Sequence, residues 1–569
     1  MVATTVKSPP FGVAFTRYAG TLDWLPHWLP RLVRWGLVCW IVVFWRLGYP
    51  SLLDPDEAHY AELTREMLRA RSWLVPLLDG MPFIDKPVLF HWMQGLAVRL
   101  MGETEFAIRL PSALAALGLF WTTRWVGVLL FGETVGEWGG LMFATIPITF
   151  ALASVGLFDM VFACFLFGAV ACLLAAMLRN RLRLQYLGYA LLTLAVMTKG
   201  PVALLLVCLW LGVAALCSDT LRTAIRLLDW KRGLLMVTVA SSPWFAWMWM
   251  HFGDRFVQGY LLAGNLWYVT RPVRAPSYML YVWTFSAGFY PWSLVAVAGA
   301  IDAARRWRKG LHWSSEEALL WTWVVVVVGF FSVARFKVDR YILPAAPACC
   351  LLAACTWARA SDPLEKIRNA AARWSVLMLG VSLVAIGVVT GAFMFRLDLD
   401  LSPAAALIPA AFLVGGGTLA ISTVRRGFLA PPSIAALLVM LLVVYGTVVM
   451  AGFPVLERVR PTARIARALR TNLQPDDSVG LYRLERWRAS LRYYLMQPVA
   501  RLDNREAVVE FLARPPHSYV AMLRRDYKEL KASGVKLRIV HTRPAVAGTV
   551  GWGLRRQRWD ALLVTTRDP

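Results

Sequence analysis

Long apolar runs recur along this 569-residue chain and constrain its fold more than any other feature. A helix that crosses a bilayer needs about 20 mainly apolar residues. The sequence contains 13 candidate runs, at 33–49, 107–130, 138–155, 160–178, 186–198, 201–217, 233–250, 279–301, 318–334, 342–357, 375–395, 403–423 and 432–452. Only 17% of the residues are charged, fewer than in a soluble protein of ordinary composition. The sequence therefore predicts an all-α polytopic membrane protein with about 13 transmembrane helices.

A long polar connection, residues 50–106, follows the first apolar run. Its segment 87–101 is apolar but contains His91, Gln94 and Arg99. A polar face on an apolar helix is typical of a helix that lies in the membrane interface, and a short span is the alternative.

The distribution of basic residues predicts which connections are cytoplasmic. If the N-terminus with Arg31 and Arg34 is inside, five of the alternate connections follow the positive-inside rule. These five contain Arg179, Arg181 and Arg183; Arg222, Arg226, Lys231 and Arg232; Arg305, Arg306, Arg308 and Lys309; Arg359, Lys366, Arg368 and Arg373; and Arg425 and Arg426. The connection at 131–137 lacks this bias. Thirteen spans place the C-terminal tail outside.

The tail, residues 453–569, differs in character from the transmembrane portion, residues 1–452. Short apolar runs at 478–482, 519–523, 537–541 and 561–564 alternate with helical patterns at 463–473, 488–496 and 505–512. Such alternation predicts a small α/β domain. The tail has 23 basic and 11 acidic residues, a net charge of +12. This charge suits an anionic lipid headgroup or a phosphate-bearing acceptor, and solubility is the alternative explanation.

The connections that face outward bring acids and bases to one side of the membrane. They contain Asp54, Asp56, Glu57, Asp85, Lys86, Asp159, Lys199, Arg255, Arg271, Arg274, Arg335, Lys337, Asp339 and Arg340. A structural membrane protein gives no reason for this convergence. A transporter would place its charges near the midplane, in broken helices. No Walker loop, GxGxxG or HExxH motif is present, so nothing indicates a nucleotide donor or a nucleic-acid partner.

The first candidate motif is Asp54-Pro55-Asp56-Glu57-Ala58-His59-Tyr60. A purely structural interpretation makes Asp54 the N-cap of a helix and Glu57 the N3 residue of a capping box. Asp56 and Tyr60, however, lie at positions i and i+4 and therefore share one helical face. An acid and a phenol on one face suit sugar binding.

Two further candidates are single charged residues at the ends of apolar segments. Lys86 precedes Pro87, so it lies just before a predicted helix and could bind an anion there; an interfacial lysine is the structural alternative. Asp159 is flanked by apolar spans, where an acidic side chain is costly unless it is paired or hydrated.

A fourth set comprises the basic residues Lys199, Arg271, Lys337 and Arg340, together with Tyr341. Each could instead be an anchor at the membrane interface. The sequence Asp398-Leu399-Asp400 has the form of a DxD motif, but it lies in a short loop beside Arg396, and we interpret it as incidental. No His or Cys spacing typical of a metal site is present.

The order of these motifs resembles that of the GT-C glycosyltransferases of the protein-mannosyltransferase superfamily. An acidic pair is followed by acid-Lys-Pro-x-Leu, by an aspartate after the third span, by Lys-Gly-Pro after the fifth, and by Lys-x-x-x-Tyr-x-Leu-Pro after the ninth. Within this superfamily the chain is most similar to the bacterial transferases that add aminoarabinose to lipid A. These usually have Glu-Lys-Pro-Pro where this chain has Asp85-Lys86-Pro87-Val88, which leaves the role of Asp85 open.

The resemblance implies a GT-C fold with interfacial helices on the periplasmic side of the bacterial inner membrane. It implies transfer of 4-amino-4-deoxy-L-arabinose from undecaprenyl phosphate to a phosphate of lipid A, an activity that contributes to polymyxin resistance. Lys86 and Arg271 would neutralise the leaving phosphate, while Asp56 and Asp159 would bind the amino sugar and stabilise an oxocarbenium-like transition state. Tyr60, Lys199, Lys337, Arg340 and Tyr341 would bind substrate.

The resemblance also bears on cofactors. No cofactor is required by the implied reaction, and a divalent metal ion at Asp85 is the alternative. A related transferase with another polyprenyl-phosphate sugar, or with a protein acceptor, is the closest competing function.

Overall fold

The structure is a computed structural model that describes residues 35–179, 181–267, 279–310, 313–361, 370–396, 402–426, 431–458, 460, 462–470, 473–474, 476–484, 488–514, 517–546 and 558–566. The helices before the tail are α1 Trp35–Phe44, α2 Asp56–Arg69, α3 Leu89–Met101, α4 Glu105–Phe131, α5 Glu133–Thr145, α6 Pro147–Ala153, α7 Phe158–Leu178, α8 Leu184–Lys199, α9 Val202–Cys217, α10 Asp219–Arg226, α11 Trp230–Phe252, α12 Asp254–Phe256, α13 Leu280–Gly288, α14 Trp292–Arg308, α15 Ser315–Val333, α16 Ala346–Ser361, α17 Ala370–Arg396, α18 Leu407–Arg426 and α19 Pro431–Thr447. Shorter helical segments are the π-helices Val257–Leu266 and Val448–Gly452 and the 3-10 helices Asp339–Ala345 and Pro403–Ala406.

The remaining helices are α20 Phe453–Arg458, α21 Thr462–Arg470, α22 Arg488–Leu495, α23 Arg505–Leu512 and α24 Arg524–Ala532. The strands are β1 Leu77–Leu78, β2 Met81–Pro82, β3 Ser478–Tyr482, β4 Val499–Leu502, β5 Ser518–Leu523, β6 Arg538–Val546 and β7 Arg558–Thr565.

Each of the 13 apolar runs lies mainly in helix, which confirms the all-α prediction for the portion before the tail. Among the described residues, seven helices are long and apolar enough to cross a membrane, or nine if each of two bent pairs is one span. The bends measure 62° between α5 and α6 and 114° between α13 and α14. Pro147 follows the first bend, where it forces Ile146 into an extended conformation. The protein is a multi-pass membrane protein, and the count of 13 spans stays a prediction.

The chain divides into two units. The first comprises Met1–Trp45, Ala113–Ala153 and Asp159–Thr447, and the second comprises Arg46–Ser112, Ser154–Phe158 and Val448–Pro569. The polar connection at residues 50–106 thus shares a unit with the tail. The sequence-based division at 452/453 stays a prediction.

In the first unit, small residues and partly buried ion pairs join the helices. A Cβ atom at Gly380 of α17 would lie 2.8 Å from the backbone nitrogen of Ala420 in α18, so these two helices approach as closely as glycine permits. At the start of α15, Glu317 accepts hydrogen bonds from Arg306 at 3.0 and 3.1 Å and from Arg359 at 2.9 Å. Glu317 therefore joins α14, α15 and α16.

In the second unit, the tail forms a five-stranded sheet, which confirms the predicted α/β region. The strand order is β4-β3-β5-β7-β6. Strands β4, β3 and β5 are parallel to one another, and β7 runs antiparallel to both of its neighbours, β5 and β6. Successive side chains of a strand point to opposite faces of the sheet, so the sheet has one hydrophobic core on each face. Val479 and Leu481 pack against α21 and α22 on one face, whereas Val520 and Met522 pack against α23 and α24 on the other. The sequence missed β4, which has only four residues, and α24, which is rich in charge.

The start of the polar connection at residues 50–106 depends on one buried ion pair. Arg109 of α4 donates from Nε to Glu57 Oε1 at 2.6 Å and from Nη2 to Glu57 Oε2 at 3.0 Å. Its guanidinium also donates to the carbonyl oxygens of Leu47, Pro50 and Ser51 at 2.8, 2.8 and 3.2 Å. Both charged side chains are 1% exposed or less, so burial excludes water from this pair.

The predicted capping box at Asp54 and Glu57 is wrong. Helix α2 begins at Asp56, after Pro55, and no side chain caps its N-terminus. Glu57 instead accepts hydrogen bonds from the backbone nitrogens of Leu53 at 2.6 Å and Gly156 at 2.8 Å. The carboxylate pairs with a distant arginine because the pair is buried, and helix periodicity could not reveal that partner.

Replacing Arg109 by methionine is expected to lower the free energy of unfolding by about 3–5 kcal/mol, because it leaves the carboxylate of Glu57 buried without its cation. Thermal unfolding of the purified protein in detergent measures the loss. The control is Arg232→Ala, since Arg232 is 75% exposed and pairs with Asp229 at 3.2 Å; its melting temperature should stay near that of the wild type, because an exposed ion pair contributes little to stability. Equal melting temperatures for the Arg109 variant and the wild type would contradict this assignment.

Candidate active site

Three residues from distant parts of the first unit meet in one ion-pair cluster. Asp159 lies in the first turn of α7, Lys199 is the last residue of α8, and Arg340 lies in the 3-10 helix that precedes α16. Lys199 Nζ donates to Asp159 Oδ1 at 2.9 Å, and Arg340 Nε donates to Asp159 Oδ2 at 2.9 Å. We call these three residues the Asp159 cluster. The structure thus brings together three of the side chains that the sequence singled out.

Burial and charge determine what the Asp159 cluster can bind. Asp159 is 2% exposed and Lys199 is 8% exposed, while the Arg340 side chain is 22% exposed. One carboxylate between two cations leaves the cluster with a net charge of +1. A partly exposed, net positive cluster attracts an anion, and Arg340 is its most accessible member.

Aromatic rings surround the ammonium group of Lys199. Its Nζ lies 4.2 Å from the ring centroid of Tyr341 and 5.1 Å from that of Phe162. Both distances are within the range of cation–π attraction. Tyr341, which the sequence singled out, therefore lies beside a cation. Phe162 also lies beside it, and the sequence did not reveal Phe162 because it resembles any other apolar residue of α7.

The other basic candidates of the first unit are placed differently. Lys337 donates from Nζ to the carbonyl oxygen of Ala334, at the end of α15, at a distance of 2.7 Å. Arg271 lies outside the described residues, as does the motif Asp398-Leu399-Asp400.

In the second unit, α2 presents Asp56, His59 and Tyr60 within its first turns. The Tyr60 ring packs edge-on against Phe158 at 5.2 Å between centroids and against Phe90 at 6.3 Å. Burial lowers the pKa of His59, and the nearby carboxylates of Asp56 and Asp85 oppose that shift. The negative charges of Asp56 and Asp85 therefore both act near His59, a residue of the first motif to which the sequence analysis assigned no role.

Lys86 and Asp85 form a pair at the start of the predicted acid-Lys-Pro element. Lys86 Nζ lies 3.0 Å from Asp85 Oδ2 and donates to the Asp85 carbonyl oxygen at 3.1 Å. Helix α3 begins at Leu89 and follows directly, as the sequence predicted. Among the described residues, no group of three or more His, Cys, Asp or Glu side chains is arranged to hold a metal ion. The metal role of Asp85 stays a prediction.

The arrangement of the helices matches that of a solved structure. The crystal structure of ArnT from Cupriavidus metallidurans bound to undecaprenyl phosphate superposes with a TM-score of 0.74 at 20% identity, over 94% of this chain and 98% of that one. Its apo state gives a TM-score of 0.73 at 19% identity. The protein is therefore a multi-pass membrane protein with the GT-C fold, as the order of its motifs predicted.

Part of the sequence is similar to a known family. Residues 85–247 match the model of the Dolichyl-phosphate-mannose-protein mannosyltransferase family, so this part of the chain is similar to that family. It is 31% identical over 322 residues to "Undecaprenyl phosphate-alpha-4-amino-4-deoxy-L-arabinose arabinosyl transferase 1" of Sodalis glossinidius (strain morsitans), covering 53% of this chain and 54% of that protein.

A second relative, named as an arabinosyl transferase of the same donor, comes from Enterobacter sp. (strain 638). It is 29% identical over 330 residues, which are 54% of this chain and 56% of that protein. The chain thus spans about half the length of the curated relatives it matches.

Gly200 is expected to be essential for the geometry of the Asp159 cluster. It follows Lys199 with a φ of +94°, and a Cβ atom there would lie 2.1 Å from the hydroxyl oxygen of the buried Tyr260. Gly200→Ala therefore combines a strained backbone, which costs about 1–2 kcal/mol, with a steric clash. We expect a lower melting temperature, partly restored by adding Tyr260→Phe.

Gly212→Ala is the matched control, because Gly212 lies within α9 and nothing lies within 4 Å of its Cβ position. Alanine is favoured over glycine in helices, so this variant should be as stable as the wild type or more so. A Gly200 variant that melts at the wild-type temperature would refute the steric argument.

Proposed function

We propose that this protein transfers 4-amino-4-deoxy-L-arabinose from undecaprenyl phosphate to a phosphate of lipid A, at the periplasmic face of the bacterial inner membrane. The observation that carries the proposal is the partly exposed, net positive Asp159 cluster in a chain that matches arabinosyl transferases over about half their length. The name of these relatives specifies undecaprenyl phosphate as the carrier of their sugar.

The reaction breaks the bond between the sugar C1 and the phosphate oxygen of the carrier. Negative charge grows on the departing phosphate, so cations that are already fixed in place lower the barrier. In our proposal Arg340 and Lys199 supply that charge in the first unit, while Lys86 and Arg271 keep the phosphate-binding role implied by the resemblance. The aromatic rings of Tyr341 and Phe162 hold the Lys199 ammonium in place.

The acceptor is itself a phosphate and is ionised at neutral pH. Its oxygen can attack C1 directly, and the reaction has little need of a general base. Positive charge develops at the ring oxygen and C1 as the carrier leaves. In our proposal the Asp56 carboxylate stabilises this positive charge and binds the amino group of the sugar. Tyr60 contacts the sugar from the same face of α2.

Asp159 receives a different role from the one that the resemblance implies. Both of its carboxylate oxygens are engaged by cations at 2.9 Å, so it holds Lys199 and Arg340 rather than the sugar. We therefore propose that Asp159 is a positioning residue of the phosphate site. The catalytic carboxylate in this proposal is that of Asp56.

Competing transferases differ in the acceptor or in the sugar. The family match is to protein mannosyltransferases, so a protein acceptor is the second candidate. Mass spectrometry of lipid A from cells with and without the protein distinguishes the two: an aminoarabinose adduct that depends on the protein supports our proposal, and an unmodified lipid A rejects it.

Two carboxylate variants separate the assigned roles. Asp56→Asn should abolish the lipid A adduct and leave the melting temperature unchanged, because it removes charge but little volume. Asp159→Asn leaves two cations without their buried partner, which should cost about 3–5 kcal/mol of stability and raise the KM for the donor lipid.

Asp503→Asn is the control for both variants, since Asp503 is 64% exposed and pairs with Arg501 on the surface. It should change neither the adduct nor the melting temperature. If Asp56→Asn retains full transfer, the assignment of Asp56 is wrong.

The acceptor side of the proposal rests on a basic helix that follows a candidate membrane span in the sequence. Helix α21 begins four residues after the span Ser433–Arg458 ends. Ile465, Ala466 and Leu469 bury one face of α21 in the core of the sheet, and Arg467 and Arg470 are exposed. An arginine near an anionic surface contributes about 1 kcal/mol of attraction, so this helix suits the phosphates of lipid A.

Neutralising Arg464, Arg467 and Arg470 together to glutamine should raise the KM for lipid A at least tenfold, since about 1.4 kcal/mol corresponds to a factor of ten. The KM for the sugar donor should change less. The wild-type KM for lipid A should also rise with ionic strength, because salt screens exposed charges.

The matched control neutralises three exposed arginines elsewhere in the tail, Arg501, Arg505 and Arg514. This variant has the same net charge but leaves α21 intact, so its KM for lipid A should stay near that of the wild type. Equal effects of the two triple variants would show that total charge acts, and not the α21 surface.

A further inference from the structure

Helix α22 of the tail packs against α2, the helix that carries Asp56 and Tyr60. Tyr493 of α22 belongs to one hydrophobic cluster with Leu52, Ala58 and Ala61. Both helices lie in the second unit. The tail is therefore part of the packing that surrounds α2.

Polar contacts fix the direction of this packing. Arg65 of α2 donates from Nη1 to the carbonyl oxygen of Tyr493 at 2.7 Å and from Nη2 to that of Arg492 at 3.2 Å. These carbonyls belong to the last turn of α22, where helix geometry supplies too few donors. In return, Arg492 of α22 pairs with Glu62 and Glu66 of α2. An arginine of α2 thus satisfies terminal carbonyl oxygens of α22, and an arginine of α22 neutralises carboxylates of α2.

The chain that leads into α2 is also held by tail residues. Ser51 donates from its backbone nitrogen to Glu457 Oε2 at 2.9 Å and from Oγ to the same atom at 2.8 Å. One residue later, the Leu52 nitrogen donates to the Tyr494 hydroxyl oxygen at 2.7 Å, and that hydroxyl donates to Glu105 Oε1 at 3.0 Å. Tyr494 therefore bridges the backbone four residues before Asp56 to the first turn of α4.

We propose that Tyr494 is a positioning residue for the transfer reaction, through which the tail fixes the segment that precedes Asp56. The proposal rests on the function proposed above, since it assigns Asp56 to the reacting sugar. The Tyr494 hydroxyl is well suited to this role because it accepts from a backbone nitrogen and donates to a carboxylate at the same time. A hydrogen bond to a charged group is also stronger than one between neutral groups.

The neighbouring tyrosine provides a matched control. Tyr493 is buried, and its hydroxyl oxygen has no hydrogen-bond partner among the described residues. Tyr493→Phe and Tyr494→Phe each remove one hydroxyl from adjacent positions of the same helix. Only the second change releases the Leu52 nitrogen.

Hydrogen–deuterium exchange of the purified full-length protein tests the positioning without any substrate. In Tyr494→Phe, the amides of residues 51–60 should exchange at least tenfold faster than in the wild type, and in Tyr493→Phe they should exchange at the wild-type rate. Unchanged exchange in Tyr494→Phe, or the same increase in both variants, would overturn the proposal whether or not the protein transfers a sugar.

Kinetics then test the link to the reaction. Tyr494→Phe should lower kcat about tenfold and leave the KM for the donor within twofold, because a misplaced Asp56 affects the transition state more than binding. Glu105→Gln keeps an acceptor for the hydroxyl and should show a smaller loss. A wild-type kcat in Tyr494→Phe overturns the proposal, whereas an inactive wild type refutes the proposed function and leaves the exchange result to decide the positioning.

Discussion

The buried guanidinium of Arg109 is the contact on which the start of α2 depends. It neutralises Glu57 and donates hydrogen bonds to three backbone carbonyl oxygens, those of Leu47, Pro50 and Ser51. A charge removed from water in this way is tolerated only if it is paired and its donors are satisfied. Because Glu57 also binds the backbone of Gly156, the same pair holds the turn that leads to Asp159 in the sequence.

The two clusters of candidate residues follow one design, in which buried ion pairs hold the side chains that would meet substrate. Asp159 holds Lys199 and Arg340 in the first unit, and Glu57 with Arg109 holds the segment before Asp56 in the second. A rigid arrangement of charge is what transition-state stabilisation requires, since no reorganisation is then needed during the reaction. The tail also holds the segment before Asp56, because α22 packs against α2 and Tyr494 of α22 binds the Leu52 nitrogen.

Much of this could be predicted from the sequence, and the limits have physical reasons. Apolar runs identified the helices, and alternating short runs identified the sheet, because hydrophobic periodicity follows secondary structure. The predicted topology placed Asp159, Lys199 and Arg340 on one side of the membrane, and the structure brings these three side chains together. The partners of buried charges were missed: Glu57 looked like a capping residue and Arg109 like part of an apolar run, because pairing across 52 positions leaves no local pattern. Phe162 and Tyr494 were missed for the same reason.

The central claim is that this protein recognises the phosphate of a polyprenyl carrier through fixed cations. The most direct measurement compares the binding of undecaprenyl phosphate and of undecaprenol, which lacks the phosphate, to the purified protein and to its Lys199→Ala variant. The account predicts that undecaprenyl phosphate binds the wild type at least tenfold more tightly than undecaprenol does, and that Lys199→Ala removes most of this preference, since a charge-assisted contact contributes about 1.5–3 kcal/mol. Equal affinities of the wild type for the two lipids would contradict it.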